Sequence, residues 1–159
     1  MQECDWSRTS KKTGNVTFTA CSSGGKPLLL KLENVRVAFE PSVYGGDGTE
    51  VRKNICFKNV SEDLRNTILA METSLAFNPP VCSAIKDDLV KAKVSMDKVR
   101  IFDDAREIID APKNWRGWEA HAIIQVRGRW ETRTQCGLSL ELTDIQLLRQ
   151  AQDDTQCPF

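Results

Sequence analysis

The chain has one histidine, His121, and one tyrosine, Tyr44, and its 22 basic residues are matched by 22 acidic ones. A single imidazole leaves any metal site to be assembled from widely separated ligands. The six cysteines (Cys4, Cys21, Cys56, Cys82, Cys136 and Cys157) contain no Cys-x-x-Cys pair, so their spacing argues against zinc. No cofactor and no metal are expected. No segment approaches the roughly 18 uninterrupted apolar residues of a membrane span, and residues 1–25 hold no apolar core long enough for a signal peptide. The expectation is a soluble, cytoplasmic protein with no membrane partner. In that compartment Cys56 reads as a strand thiol and Cys157 as an exposed one, and the sequons at Asn15-Val16-Thr17 and Asn59-Val60-Ser61 read as chance matches.

Motifs of catalysis are missing too. There is no nucleophile elbow, and Gly45-Gly46-Asp47-Gly48 reads as a turn rather than a phosphate nest. His121 with Cys136 would be the available base and nucleophile of a hydrolytic enzyme. Asp103, Asp104, Glu107 and Asp110 read as a solvated acidic face before a magnesium site. The weight falls on a protein that is not an enzyme.

What the sequence does have is alternation. A length of 159 residues fits one domain with an ample core. Leu30 and Leu32 share one parity and Val35, Val37 and Phe39 the other, so a β-bulge is expected at Glu33-Asn34. Pro41 to Gly48 forms a hairpin loop, and Val51, Ile55 and Phe57 alternate in the returning strand. Ser61 caps a helix with Glu62 and Asp63 in its first turn and Leu64, Ile68, Met71 and Leu75 as its apolar stripe; Asn78-Pro79-Pro80 ends it. Val90, Ala92, Val94 and Met96 point inward, placing Lys91 and Lys93 on the outer face. Val99 to Phe102 continues beyond a turn at Asp97-Lys98, and a short helix is expected around Ala105 to Ile109. The last strand pair has Ala120, Ala122, Ile124, Val126, Gly128 and Trp130 on one parity, with His121, Gln125, Arg127, Arg129 and Arg133 on the other. Leu138, Leu140 and Leu142 follow, with a phase slip near Thr143-Asp144.

The order strand, strand, helix, strand, strand, strand, with phase slips where a sheet would bend, predicts a mainly β protein: a five-stranded OB-fold-like barrel with one helix between strands. Residues 1–25 read as a flexible segment or an extra strand, 26–150 as the barrel, and 151–159 as a flexible acidic tail.

OB-folds bind oligonucleotides on the outer face of their second and third strands and the adjoining loops. That chemistry needs cations for phosphates and flat rings for bases, stacking being worth about 1–3 kcal/mol per base whatever the sequence. The cations available are Lys53, Lys58, Lys91, Lys93, Arg127, Arg129 and Arg133. Tyr44, Trp115 and Trp118 offer rings, and Lys113-Asn114-Trp115-Arg116-Gly117-Trp118 is the densest mixture of the two. Each has a bland counterpart: Trp130 shares parity with the core, Trp118 could plug the barrel end, Tyr44 could fold back on the barrel, and the lysines could be ordinary solvated charges. Trp115, flanked by polar residues, has no evident core partner.

The chain ends Asp153-Asp154-Thr155-Gln156-Cys157-Pro158-Phe159. Acids for a basic cleft and an aromatic for a small pocket read as a segment made to be grasped. With the barrel-like strand order, this ending resembles the single-stranded DNA-binding proteins of bacteria and bacteriophages, which end in acids followed by Pro-Phe or a final Phe. Gly137 to Ile145 is a weaker match. The tail is short, with two Asp residues, and no long Gly/Pro/Gln-rich linker precedes it, which favours the phage or viral branch. The resemblance implies binding of single-stranded DNA, action in replication or recombination inside a bacterial host, and recruitment of replisome proteins through Asp153, Asp154, Pro158 and Phe159, with homo-oligomers allowed. RNA in place of DNA stays open, as does a protein-binding adaptor or inhibitor on the same barrel.

Overall fold

A computed structural model describes residues 4–43, 51–75 and 80–150. Three strands come first: β1 (Asp5–Trp6), β2 (Lys11–Thr13) and β3 (Val16–Ser22). Then follow β4 (Leu28–Val37), β5 (Arg52–Lys58), the helix α1 (Glu62–Thr73), β6 (Ile85–Lys86), β7 (Leu89–Ser95), β8 (Arg100–Phe102), β9 (Trp118–Glu131) and β10 (Cys136–Gln150). Five of these strands close on themselves in the order β4, β5, β7, β10, β9 and back to β4. All the seams are antiparallel except the parallel one between β7 and β10. The mainly β, OB-like fold expected from the sequence is therefore present as a closed five-stranded ring with one helix between its strands.

Alternation fills the interior. Leu28, Leu30, Leu32, Val35 and Val37 of β4, Ile55 and Phe57 of β5, Val90, Ala92 and Val94 of β7, Ala120 to Val126 by twos in β9, and Leu138, Leu140, Leu142, Ile145 and Leu147 of β10 are buried. Strand β4 changes phase where expected, its register with β9 shifting between Leu32 and Val35 and Asn34 adopting φ 53°. Strand β10 slips between Leu142 and Asp144, again as expected, and also between Ser139 and Leu140 and between Leu147 and Arg149. Each extra residue increases local twist and bend, which lets a long strand curl around a small ring. Phe39, assigned inward by parity, instead lies beyond the end of β4 and is 54% exposed.

The helix begins as predicted, the Ser61 hydroxyl accepting the Leu64 N–H at 3.3 Å. It buries Ile68 and Met71, with Leu75 just beyond it. Glu72 is buried as well, and the reason is visible: its carboxylate accepts the Ser83 hydroxyl at 2.6 Å and the Ala84 N–H at 2.7 Å. A buried carboxylate is tolerated when hydrogen-bonded in this way, and it pins the approach to β6. No helix forms at 105–109. The Asp103 carboxylate instead accepts the N–H groups of Ala105 and Glu107 at 2.9 and 3.0 Å, a side-chain turn that competes with the first helical turn, and Arg106 sits at φ 67°.

The segment before residue 25 forms strands. β2 pairs with β3, β1 pairs with the other end of β3, and β3 pairs with the last part of β9. Thus β9 is covered along one edge first by β4 and then by β3. The two backbones approach closely at Gly128, where a Cβ would stand 2.1 Å from the Thr19 carbonyl oxygen and 2.9 Å from the Ala20 Cα. Gly128→Ala must therefore push β3 off β9. We expect a loss of about 1–3 kcal/mol, the usual cost of overpacking, seen as a lower urea midpoint; an unchanged midpoint would contradict this packing.

Candidate nucleic-acid interface

On β5, burial of Ile55 and Phe57 turns Arg52, Asn54 and Cys56 to the outer face. On β7, burial of Val90, Ala92 and Val94 does the same for Lys91 and Lys93. The register sets Asn54 opposite Lys93 and Cys56 opposite Lys91, so the cations of adjacent strands converge. A groove of about 450 Å³ crosses this face, lined by Arg52, Asn54, Lys91, Lys93, Ser139 of β10, Trp130 and Thr132 at the end of β9, and Val16 of β3. Among the described residues, none of Arg52, Lys91 and Lys93 has an acidic partner. Partial burial, then the neighbouring charges of Lys91 and Arg52, push the Lys93 ammonium below its ordinary pKa of 10.5. A polyanion laid in the groove would relieve that repulsion.

Trp130 is half-buried and lines this groove, so it is neither fully core nor freely exposed. Its ring lies against Gly137, where a Cβ would come within 2.9 Å of Cζ2. Glycine opposite an aromatic lets the ring settle on the backbone of the next strand.

The sequence's densest aromatic and basic patch does not join this site. Trp118 and Trp130 lie at opposite ends of β9, separated by up to about 40 Å of strand at roughly 3.3 Å per residue. Trp115 is 4% exposed and belongs to the core, which corrects the reading of it as a stacking platform. The reason is Glu40, whose carboxylate accepts the Trp115 N–H at 2.8 Å and the Arg116 N–H at 2.5 Å and draws the loop onto the ring. Trp118 is half-buried, its indole N–H donating to the Asn114 carbonyl at 2.9 Å. Lys113 and Arg116 are exposed at this same far end.

The arginine stripe also comes apart. Arg127 is ion-paired with Glu141, a 5%-exposed carboxylate that also accepts the Ser95 hydroxyl at 3.1 Å. Arg129 lies over the Trp6 ring at 5.3 Å. Arg133 is exposed in the turn between β9 and β10, next to the groove residue Thr132. Lys53 shares parity with Ile55, faces Val94 across the seam and is half-buried, whereas Lys58 pairs with Arg36 at the other end of β5. Tyr44, Asp153, Asp154, Pro158 and Phe159 lie outside the described residues, as does Cys157. Cys56 is a half-buried thiol of β5.

Arg52 and Asn54 were missed by the sequence reading. Their signal was present: they occupy the parity complementary to Ile55 and Phe57, as Lys91 and Lys93 do to Val90 and Val94.

A larger cavity of about 650 Å³ lies beside β8, lined by Lys31, Glu33, Arg100, Arg106, His121 and Asp144 among others. Most of its charge is internally balanced, Lys31 with Glu33 at 3.4 Å and Arg100 with Asp144 at 2.5 Å. His121 accepts the Asn34 N–H through Nδ1 at 3.1 Å, a structural role in the β4 bulge.

The closed ring, with its helix between the second strand and the third, is the fold of bacteriophage single-stranded DNA-binding proteins. One solved structure with it is the single-stranded DNA-binding protein of bacteriophage Enc34 in complex with single-stranded DNA, 16% identical, covering 96% of this chain and 98% of that one at a TM-score of 0.56. Another is gp2.5, the single-stranded DNA-binding protein of bacteriophage T7, 12% identical, covering 82% of this chain and 97% of that one at a TM-score of 0.57. No family model matches the chain, and no curated protein matches it in sequence.

Trp115→Ala is expected to cost about 3–5 kcal/mol of stability, as for other buried aromatics, measured by urea denaturation. A variant of native stability would return Trp115 to the surface.

Proposed function

We propose that this chain is a sequence-independent, non-catalytic binder of single-stranded DNA, working without a cofactor in phage replication or recombination in the host cytoplasm. The observation that carries the proposal is the groove: Arg52, Lys91 and Lys93 converge beside Trp130, among the described residues without acidic partners, on a fold shared with a phage protein solved with single-stranded DNA. Phosphates take the cations and a base stacks on Trp130. Neither contact reads base identity, since every base has a π face. Arg133 extends the track from the adjoining turn. The segment 151–159, with Asp153, Asp154, Pro158 and Phe159, recruits replication or recombination proteins.

Oligo-dT titration tests this reading. Affinity should fall with salt at a log-log slope of about −0.7 per phosphate neutralised. Lys91→Glu with Lys93→Glu should weaken binding by tenfold or more at unchanged stability, in keeping with about 1.5–3 kcal/mol for hydrogen bonds to charged groups. Salt-independent binding, or full affinity in the double variant, would remove the groove from the mechanism.

Deletion of residues 153–159 should leave oligo-dT affinity at least as high as in the full chain while abolishing capture of replisome proteins. A deletion that lowers DNA affinity would contradict the role given to the tail.

A further inference from the structure

The β2–β3 hairpin stands beside the groove, and the register shows how. Lys11 pairs with Phe18, Phe18 with Trp130, and Trp130 with Gly137. Directly opposed residues of an antiparallel pair project from the same face, so Lys11, Phe18 and Trp130 form one row across three strands. Both aromatic rings of the row rest against glycine backbone: a Cβ on Gly128 would come within 2.9 Å of the tip of Phe18, and one on Gly137 within 2.9 Å of Trp130. Two pairs further along the hairpin, Thr13 faces Val16, and Val16 lines the same groove as Trp130, Lys91 and Lys93. Lys11 and Lys12 are exposed, and among the described residues neither has an acidic partner. Gly14, at φ 61°, makes the tight turn that holds β2 against β3.

We propose that this hairpin, Lys11 to Phe18, is a second bank of the groove, where Lys11 holds a phosphate of a single strand leaving Trp130. The proposal rests on the reading of the groove as a single-stranded DNA site, and extends that site onto strands outside the five-stranded ring. From Lys11 to β10 the row crosses three strand spacings, about 14 Å at roughly 4.8 Å each. A short oligonucleotide can therefore occupy the Lys91–Trp130 part alone, whereas a longer one must also meet the hairpin.

The test uses the full chain with oligo-dT of about 4 and about 16 nucleotides, the range of site sizes of OB-folds, and with Lys11→Gln. With the longer oligonucleotide the slope of log affinity against log salt should become shallower by about 0.7, one phosphate fewer neutralised, while the shorter one binds as to the native protein. Lys31→Gln with Arg106→Gln, which removes two cations from the separate cavity beside β8, should leave the slope unchanged. The hairpin is excluded if the Lys11 variant keeps the native slope on the longer oligonucleotide while the Lys91, Lys93 variant still loses affinity. It is excluded equally if the Lys31, Arg106 variant flattens the slope as much, since net charge alone would then explain the effect. If neither Lys11 nor the Lys91, Lys93 pair matters, the groove itself is not the DNA site and both readings fall.

Discussion

Strand β10 must satisfy both of its edges, and the rest of the structure depends on that. It pairs antiparallel with β9 from Cys136 to Gln150 and parallel with β7 at Glu141 and Leu142. A strand paired on both sides leaves no open edge where the ring closes, but a strand of this length without irregularities could not bend around so small a ring. The three register shifts in its pairing with β9 supply the curvature. At the closing seam Glu141 is buried between Arg127 of β9 and Ser95 of β7, so one carboxylate bridges strands on either side of β10. This polar bridge also pairs the charge of Arg127, whose side chain stays exposed.

The distribution of paired and unpaired charge follows from that closure. Glu119, opposite Arg36 in the β4–β9 register, accepts from Arg149 and Arg36 at 2.9 and 3.0 Å, and those two arginines hold its carboxyl below the usual carboxylate range. Arg100 is matched by Asp144. On the face of β5 and β7, by contrast, Arg52, Lys91 and Lys93 crowd one another, and among the described residues no acid pairs with them. Like charges held together by a rigid sheet are a cost that a bound polyanion would relieve, which is how a chain of zero net charge can still carry a cationic patch.

Much of the ring was legible because alternation is a local signal. Leu28 to Val37, Arg52 to Lys58, Leu89 to Ser95 and the final strand pair were all visible in their parities, and the slips at Asn34 and Thr143-Asp144 were visible as changes of phase. Ser61 showed itself as a cap through the acids that follow it. Strands β1 to β3 were not resolved as separate elements: Asp5–Trp6 and Lys11–Thr13 are too short to establish a period, and they are stabilised by pairing with a β3 that itself leans on β9. The helix expected near Ala105 failed because a single carboxylate, Asp103, offered the backbone a nearer set of hydrogen bonds. Of the candidate site, Lys91 and Lys93 were legible from parity. Trp115 was misread because its burial depends on Glu40, 75 residues earlier in the chain.

The sequence by itself determined which residues face in and which face out along most of each ring strand, the bend in β4 and one of the three in β10, and where the helix starts, because each of these is decided by neighbours within a few positions. Only the tertiary structure decided which outward cations are free and which of them meet. Charge neutralisation acts through space, so Arg127 was lost to Glu141 and Arg129 to Trp6 by strand register. Lys113 and Arg116 were separated from Trp130 by the length of β9, while Arg52, Lys91, Lys93 and Trp130 were gathered from three distant stretches of chain by the closing of the ring.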